Sequence, residues 1–564
     1  MPLKKPALIP APESMEMLPG SYVVPASRSK KIPAKKKLDP ALRSLGEEGY
    51  LLEILSTGIT IRAFRPAGLF YGEQTLRQLG GPVFPCLRIK DRPRYAWRGF
   101  MLDCCRHFLP LKAILKQIDL LAFHKMNRFH WHLTEDQAWR LEIKKYPRLT
   151  DVGAWRQKNG RRYGGFYTQT QVKKVLAYAK ARHITVVPEI EMPGHARAAL
   201  AAYPELSCCG GASEVPGEWG VHKDVYCAGK ESTFRFIEGV LDEVCALFPG
   251  PYLHIGGDEC PKDRWRSHSL DQTRMLEQGL KDERQLQSWF LRRVHAMLKA
   301  RGKRMIGWDE IHQGGVPGDS IVQWWLDPPA VREAARQGHS VIASPHLNTY
   351  LDYGHSTTTR HRLYSFDLHP PGLEKRHWKH ILGGEAPLWT EGVPNAERAE
   401  YRSWPRLCAL SENLWTHAKA KNFRSFEDRL QVHKARLKAL SVHARDLGDR
   451  VALWSPKDLS KKGKRFSVDL GGLLKGPGRY ELRFEYEQGL GSAELRNLRL
   501  TPKLALKKPE AQKNVIAYKG PDTSFQFRVA KKDLLRPLTL KMTLATHSQG
   551  TANRGAIYLK RLSS

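Results

Sequence analysis

The sequence predicts an α/β protein built on a (β/α)8 barrel of the TIM type, with a small α/β unit before it and a β-sandwich-like segment after it. Two observations carry this. Between about residues 95 and 445, short apolar runs alternate with helical segments, the signature of parallel strands joined by crossover helices. Past residue 447 the texture changes to strands broken by Gly, Pro and Lys turns. The expected division is therefore 1–90, 91–447 and 448–564.

In the first part, "YLLEILSTGITIRAF" reads as two strands around Thr57-Gly58, and "GLFYGEQTLRQLG" as a helix closed by glycine. Eight runs are candidate barrel strands: "GFMLDC", "MNRFHWHL", "HITVVPEI", "PYLHIGG", "KRMIGW", "SIVQWW", "SVIAS" and "HILGGEA". The amphipathic "FEDRLQVHKARLKALSV" closes the helical stretch. "GRYELRFEYEQ", "TSFQFRVA" and "LTLKMTLA" then read as sandwich strands.

Composition narrows the class. With 564 residues, 41% hydrophobic and 26% charged, the chain has material for more than one core. No apolar run approaches the ~18 residues of a membrane span. "MPLKKPALIPAPESMEML" has a basic start without the apolar stretch of a signal peptide, so a cytoplasmic location is the default expectation. Nine scattered cysteines without a C-x-x-C pair argue against a disulfide framework or zinc site, although Cys208, Cys209 and Cys227 lie close enough for a local bridge. The net charge of +35 favours anionic polymers near the surface. Its basic residues peak in separate loops, with no nucleic-acid-binding motif.

A barrel of this kind does its chemistry just past the carboxyl ends of its strands. In "PYLHIGGDEC" an apolar strand ends in a glycine pair and two neighbouring acids, Asp258 and Glu259. Other strand ends supply Arg106, Glu135 and Asp136, His195, Trp308, Trp324-Trp325, Tyr350 and Asp352, and Trp389 and Glu391. Aromatic faces with paired polar groups suit a pyranose, whose C–H faces pack on rings while its hydroxyls take hydrogen bonds. Glycoside hydrolysis usually sets two carboxylates on opposite sides of the anomeric carbon. Sequence neighbours are awkward in that role, and if Glu259 is the acid, a nucleophile from elsewhere is an open alternative.

The ordered set "RGFMLDCCRHF", "FHWHLTEDQAWR", "EMPGH", "HIGGDEC", "GWDE", "YLDY" and "LWTE" closely resembles the family 20 glycoside hydrolases, the β-N-acetylhexosaminidases. The resemblance spans about residues 50–445. It implies a retaining, substrate-assisted reaction in which the sugar's own 2-acetamido oxygen attacks the anomeric carbon to give an oxazolinium ion. Glu259 is then the general acid and base, and Asp258 orients the acetamido N–H. The resemblance further assigns Arg106 and Glu391 to the sugar hydroxyls, Tyr350 to the acetamido oxygen and Asp352 to a nearby hydroxyl. Trp308, Trp325 and Trp389 become the walls, with Trp324 a competitor for the sixth-strand place. His195 is expected to tune Glu259 together with an acid after strand two; Glu135, standing where Asp is frequent, leaves both Glu135 and Asp136 open as that partner.

The expected partner is a glycan with a terminal N-acetylhexosamine, with anionic polymers as possible neighbours, and no cofactor or catalytic metal is expected. Two rivals remain. "FHWH" places His130 and His132 on one strand face, as in metal-dependent barrel hydrolases. A non-catalytic glycan-binding protein would also use the tryptophans, but has no need of a proton donor.

Overall fold

A computed structural model describes residues 5–25, 33–210, 214–315, 317–446, 448–454, 463–470, 473–488, 493–508, 515–516, 523–535, 538–546 and 554–562. The chain forms two compact units: residues 1–352, 367–399 and 411–422 in the first, and 353–366, 400–410 and 423–564 in the second.

The first unit opens with a five-stranded sheet of β1 (Ser14–Val23), β2 (Ala34–Leu38), β3 (Tyr50–Leu55), β4 (Gly58–Ala63) and β5 (Val83–Asp91), in the order β1-β5-β3-β4-β2. In β3, residues 50, 52 and 54 are buried and alternate with partly exposed ones, the period-two pattern of a one-sided sheet. Helix α1 (Pro66–Leu79) starts on a proline and stops at Gly80, whose φ of 72° with ψ of 178° is a conformation that glycine takes and other residues avoid. The buried side chains of Tyr71 and Leu76 join Tyr50, Leu52, Ile59 and Ile61 in one apolar cluster.

Eight parallel strands then close into a barrel: β6 (Trp97–Asp103), β7 (Arg128–His132), β8 (Thr185–Glu189), β9 (Tyr252–His254), β10 (Arg304–Trp308), β11 (Ile321–Trp324), β12 (Ser340–Ala343) and β13 (Ile381–Leu388). Each falls on a run read as a strand from the sequence. β6 is buried at every position, as expected of a strand covered on both faces. Helices α2 (Leu111–Phe123), α3 (Gln169–Lys180), α4 (Glu231–Leu247), α5 (Glu283–Ala300) and α6 (Pro328–Arg336) separate successive strands. The regular repeat lapses at two connections: among the described residues, a 3-10 turn, Asp309–His312, stands between β10 and β11, and short helical turns, His346–Thr349 and Arg360–Ser365, stand between β12 and β13.

The barrel interior is layered. Trp97, Val187, Ile306, Ile321 and Ile342 form an apolar layer. Two residues further along β8 and β11, Glu189 and Gln323 are fully buried, and with His130, His254 and Glu385 they make a polar layer. Gly99 leaves the room for it, since a Cβ there would lie 2.1 Å from Glu385 Oε2.

The second unit contains two four-stranded antiparallel sheets. One is β14 (Asp449–Trp454), β21 (Arg554–Arg561), β16 (Gly478–Gln488) and β19 (Thr523–Val529). The other is β15 (Lys464–Asp469), β20 (Thr539–Thr546), β17 (Ala493–Thr501) and β18 (Val515–Ile516). Their shared core is apolar, with Leu482, Phe484, Leu495, Phe525, Leu540 and Ile557 buried together. In the same unit Arg360 bonds Glu427 on α7 (Phe423–Ala439) at 2.9 Å and Tyr558 at 2.6 Å. Among the described residues, no helix is long and apolar enough to cross a membrane.

Candidate active site

The strand β9 ends in a turn that only glycine can make. Gly256 and Gly257 have φ of 65° and 89°, and a Cβ on Gly256 would fall 1.5 Å from Glu191 Oε2, one on Gly257 2.6 Å from Ile311 Cγ2. Past that turn the two acids separate. Asp258 is buried, whereas the Glu259 side chain is 43% exposed. Glu259 itself sits at φ 44°, a left-handed conformation that costs a non-glycine residue about 1–2 kcal/mol. Its N–H donates to Glu310 Oε1 at 3.1 Å. His195, also left-handed at φ 49°, faces both acids, with Nε2 3.9 Å from Asp258 Oδ2 and 3.7 Å from Glu259 Oε2.

Behind His195 lies a run of charges. Its Nδ1 is 2.7 Å from Glu135 Oε1 and 3.3 Å from Asp136 Oδ2. Both acids reach it, but Asp136 also spends Oδ1 on the N–H of Arg197 at 3.0 Å. Burial opposes charge on this imidazole, but Glu135 and Asp136 outweigh it and hold the proton affinity well above the usual histidine range. Glu135, buried in turn, is kept well below the carboxylate range by Arg106 and His195. Arg106 Nη2 lies 3.1 Å from Glu135 and 3.9 Å from Glu391, and its guanidinium stands 4.9 Å over the Trp389 ring. Burial raises Asp258 well above the ordinary range, and His195 moderates the effect.

Four aromatic rings adjoin this charge cluster. Trp389 lies 5.9 Å from Trp308 and 6.3 Å from Tyr350, and Tyr350 stacks on Trp325 at 6.2 Å. The ring that meets Tyr350 is Trp325; Trp324 is the buried last residue of β11. Asp352 follows two residues after Tyr350 and is half-buried.

Three acids that sequence reasoning gave no role take part. Glu310 Oε2 accepts from Trp325 Nε1 at 2.8 Å, so one carboxylate anchors both Trp325 and the Glu259 backbone. Asp309 Oδ2 accepts the N–H groups of Leu326 and Asp327 at 2.9 and 2.7 Å, fixing the segment that carries Trp325. Glu191, raised by burial and by neighbouring Asp258, fills the space that Gly256 leaves. The signal for the first two was the 3-10 turn in "GWDE"; for Glu191 it was the alternation of Glu189 and Glu191 around a strand end.

The paired histidines of "FHWH" face carboxylates. His130 Nδ1 is 2.7 Å from Glu385 and its Nε2 3.0 Å from Glu189. His132 Nδ1 is 2.5 Å from Glu189 and its Nε2 3.2 Å from Glu135. Burial alone would lower both, but Glu189 and Glu385 raise His130 to about 9, and Glu189 and Glu135 raise His132 to about 10. Metal ligation needs neutral imidazole, and these surroundings favour imidazolium.

Comparison with known proteins decides the family. Residues 95–418, more than half of the chain, match the glycosyl hydrolase family 20 catalytic domain, and residues 28–92 match domain 2 of the same family. The chain belongs to glycosyl hydrolase family 20. Within this family it is similar to a β-hexosaminidase of Porphyromonas gingivalis, 48% identical over 425 residues, covering 71% of this chain and 55% of that protein. A β-hexosaminidase of Vibrio furnissii is 40% identical over 403 residues, covering 65% of each. The matched part thus spans between about half and two thirds of the length of these two relatives. Among solved structures, a family 20 exo β-N-acetylglucosaminidase of Vibrio harveyi in complex with N-acetylglucosamine superposes with a TM-score of 0.71 at 32% identity, covering 78% of both chains.

Proposed function

We propose that this family 20 protein is an exo-acting β-N-acetylhexosaminidase that removes terminal β-linked GlcNAc or GalNAc by substrate-assisted, retaining catalysis. The observation that carries the proposal is the divergence of Asp258 and Glu259: one acid is buried, its neighbour is exposed, and both face His195. A nucleophile and acid pair of the ordinary retaining kind stands about 5–5.5 Å apart across the sugar. Two consecutive residues after a glycine turn are better suited to two different atoms. In this reading Asp258 holds the acetamido N–H and Glu259 protonates the leaving oxygen, then activates water.

The aromatic rings would pack the sugar's C–H faces, with Tyr350 bonding the acetamido oxygen, Arg106 and Glu391 the hydroxyls and Asp352 a hydroxyl beside them. His195, fixed by Glu135 and Asp136, is a positioning residue for the two acids. The names of the relatives, and the N-acetylglucosamine bound by the Vibrio harveyi enzyme, support the same substrate class. The test is turnover of an aryl β-N-acetylglucosaminide and its galactosaminide, with the corresponding aryl β-glucoside as control. Hydrolysis of the first pair and none of the control is expected, with the β-anomer released first. Equal hydrolysis of the glucoside would remove the acetamido group from the mechanism.

A further inference from the structure

Away from the catalytic acids, three segments bring Cys208, Cys227, His268 and Asp271 together, with one donor atom of each within 4.8 Å of all the others. Cys208 Sγ is 3.1 Å and Cys227 Sγ 3.4 Å from Asp271 Oδ2, Cys227 Sγ is 3.6 Å from His268 Nδ1, and His268 Nδ1 is 2.7 Å from Asp271 Oδ2. A tetrahedral ion with Zn–S of about 2.3 Å and Zn–N or Zn–O of about 2.0 Å has edges of about 3.3–3.8 Å. Three of these four separations are near that range, and the His268–Asp271 edge would have to open. Two thiols, an imidazole and a carboxylate form the mixed soft and borderline set that favours zinc over the oxygen-seeking cations.

The surroundings hold these groups in place independently of an ion. The N–H of Gly229 donates to Asp271 Oδ1 at 2.6 Å, leaving Oδ2 for the cluster. That approach depends on glycine, because a Cβ on Gly229 would lie 2.3 Å from the Leu270 carbonyl carbon. Cys227 N–H bonds Leu206 O at 2.9 Å, and the Trp265 indole donates to Tyr226 O at 3.0 Å. Cys227 and Asp271 are buried, and the His268 side chain is 19% exposed, which leaves an entry path.

We infer that Cys208, Cys227, His268 and Asp271 form a structural site for one zinc-class divalent cation. The entering ion displaces the two thiol protons to solvent and takes the place of the proton that His268 Nδ1 shares with Asp271 Oδ2, the neutral imidazole keeping its one proton on Nε2; with all four positions taken by protein it has no open place for catalysis. Its effect is mechanical. Tyr226 N–H bonds Pro193 O at 3.0 Å, two residues before His195, and His268 follows Glu259 by one short helix, Asp263–Ser267. The ion would therefore pin the loop of His195 to the segment that continues from Asp258 and Glu259. Cysteine spacing alone argued against zinc, because half of the ligand set is not cysteine.

The experiment is metal analysis of the full chain purified under reducing conditions and dialysed exhaustively. About one zinc per chain is expected, with a thermal midpoint that falls by several degrees on stripping with chelator. Reconstitution with Co2+ should give the thiolate charge-transfer and intense visible bands of tetrahedral cobalt, lost in Cys227→Ser and retained in His268→Cys with a stronger charge-transfer band. Should a variant fail to fold, the cobalt spectrum of the unaltered chain decides. Absence of bound zinc together with absence of those bands on reduced protein, or a Cys208–Cys227 disulfide found by mass mapping, would overturn the inference.

Discussion

The barrel and the sandwich fill their interiors in opposite ways. Leu482, Phe484, Leu495, Phe525, Leu540 and Ile557 pack the sandwich core with hydrocarbon and rings, and the buried ion pairs of that unit, Arg360 with Glu427 and Glu485, stand apart from this cluster. The barrel sets His130, Glu189, His254, Gln323 and Glu385 next to its apolar layer. Hydrocarbon suffices to hold sheets together, and a buried ion pair adds little over an apolar substitute of the same shape. The difference teaches what the polar layer is for. Through His132, Glu189 meets Glu135, which meets His195, which faces Asp258 and Glu259. This run of charges links the barrel interior to the rim.

Truncation should separate the two interiors most strongly. Phe484→Ala is expected to cost about 3–5 kcal/mol of stability, with kcat of the folded fraction unchanged. Glu385→Ala, which leaves His130 facing one carboxylate fewer, should cost a similar amount, about 3–5 kcal/mol, and lower kcat as well. Denaturant midpoints paired with rates on the folded enzyme check this; an unchanged kcat for Glu385→Ala would make the polar layer a packing device only.

Proton linkage gives the next largest contrast. His130 and His132 are raised from 6.5 to about 9 and about 10, so the native state holds protons that the unfolded chain has released. Their stabilisation is full below pH 6.5 and is lost progressively as pH rises through about 9 and about 10. Hydrogen exchange on barrel amides should show protection declining over that window, and His130→Gln should flatten the decline. Protection of Phe484, Phe525 and Ile557 amides should change less.

All eight barrel strands were legible in the sequence because each is a compact apolar run with helical periodicity beside it. The rim residues lay past those runs, where the barrel rule says to look. What could not be read was set by contacts distant in sequence. Glu310 is 51 residues from the Glu259 N–H that it accepts, and Asp271 is 63 residues from Cys208. His130 looked like a metal ligand because its carboxylate partner Glu385 is 255 residues away. Between β10 and β11, among the described residues, the crossover carries a 3-10 turn instead of a longer helix, and its acids Asp309 and Glu310 reach the site.

A smaller effect belongs to Glu310. Glu310→Gln keeps the shape but weakens the bond to the Trp325 indole and the Glu259 N–H, worth about 1 kcal/mol, so KM should rise severalfold with a lesser fall in kcat. An unchanged KM would mean that Trp325 is held by Asp309 and Tyr350 alone. The smallest expected effect concerns the surface. With a net charge of +35, activity on a sulfated or uronate-bearing glycan should fall with added salt more steeply than on a neutral one; equal slopes would mark the charge as solvated surface.

The central claim is that the substrate supplies the nucleophile and Glu259 the proton, and the most direct measurement combines acetyl fluorination with a change of leaving group. Successive fluorines on the 2-acetamido group weaken its oxygen as a nucleophile, so kcat/KM should fall steadily along the series. Across two leaving groups, Glu259→Gln should suppress cleavage of an unactivated glycan by about 10² to 10⁴-fold while sparing far more activity on a nitrophenyl glycoside. Asp258→Asn should impair both. A rate indifferent to fluorination, with equal losses for Glu259→Gln on both substrates, would contradict the account and require a nucleophile from the protein.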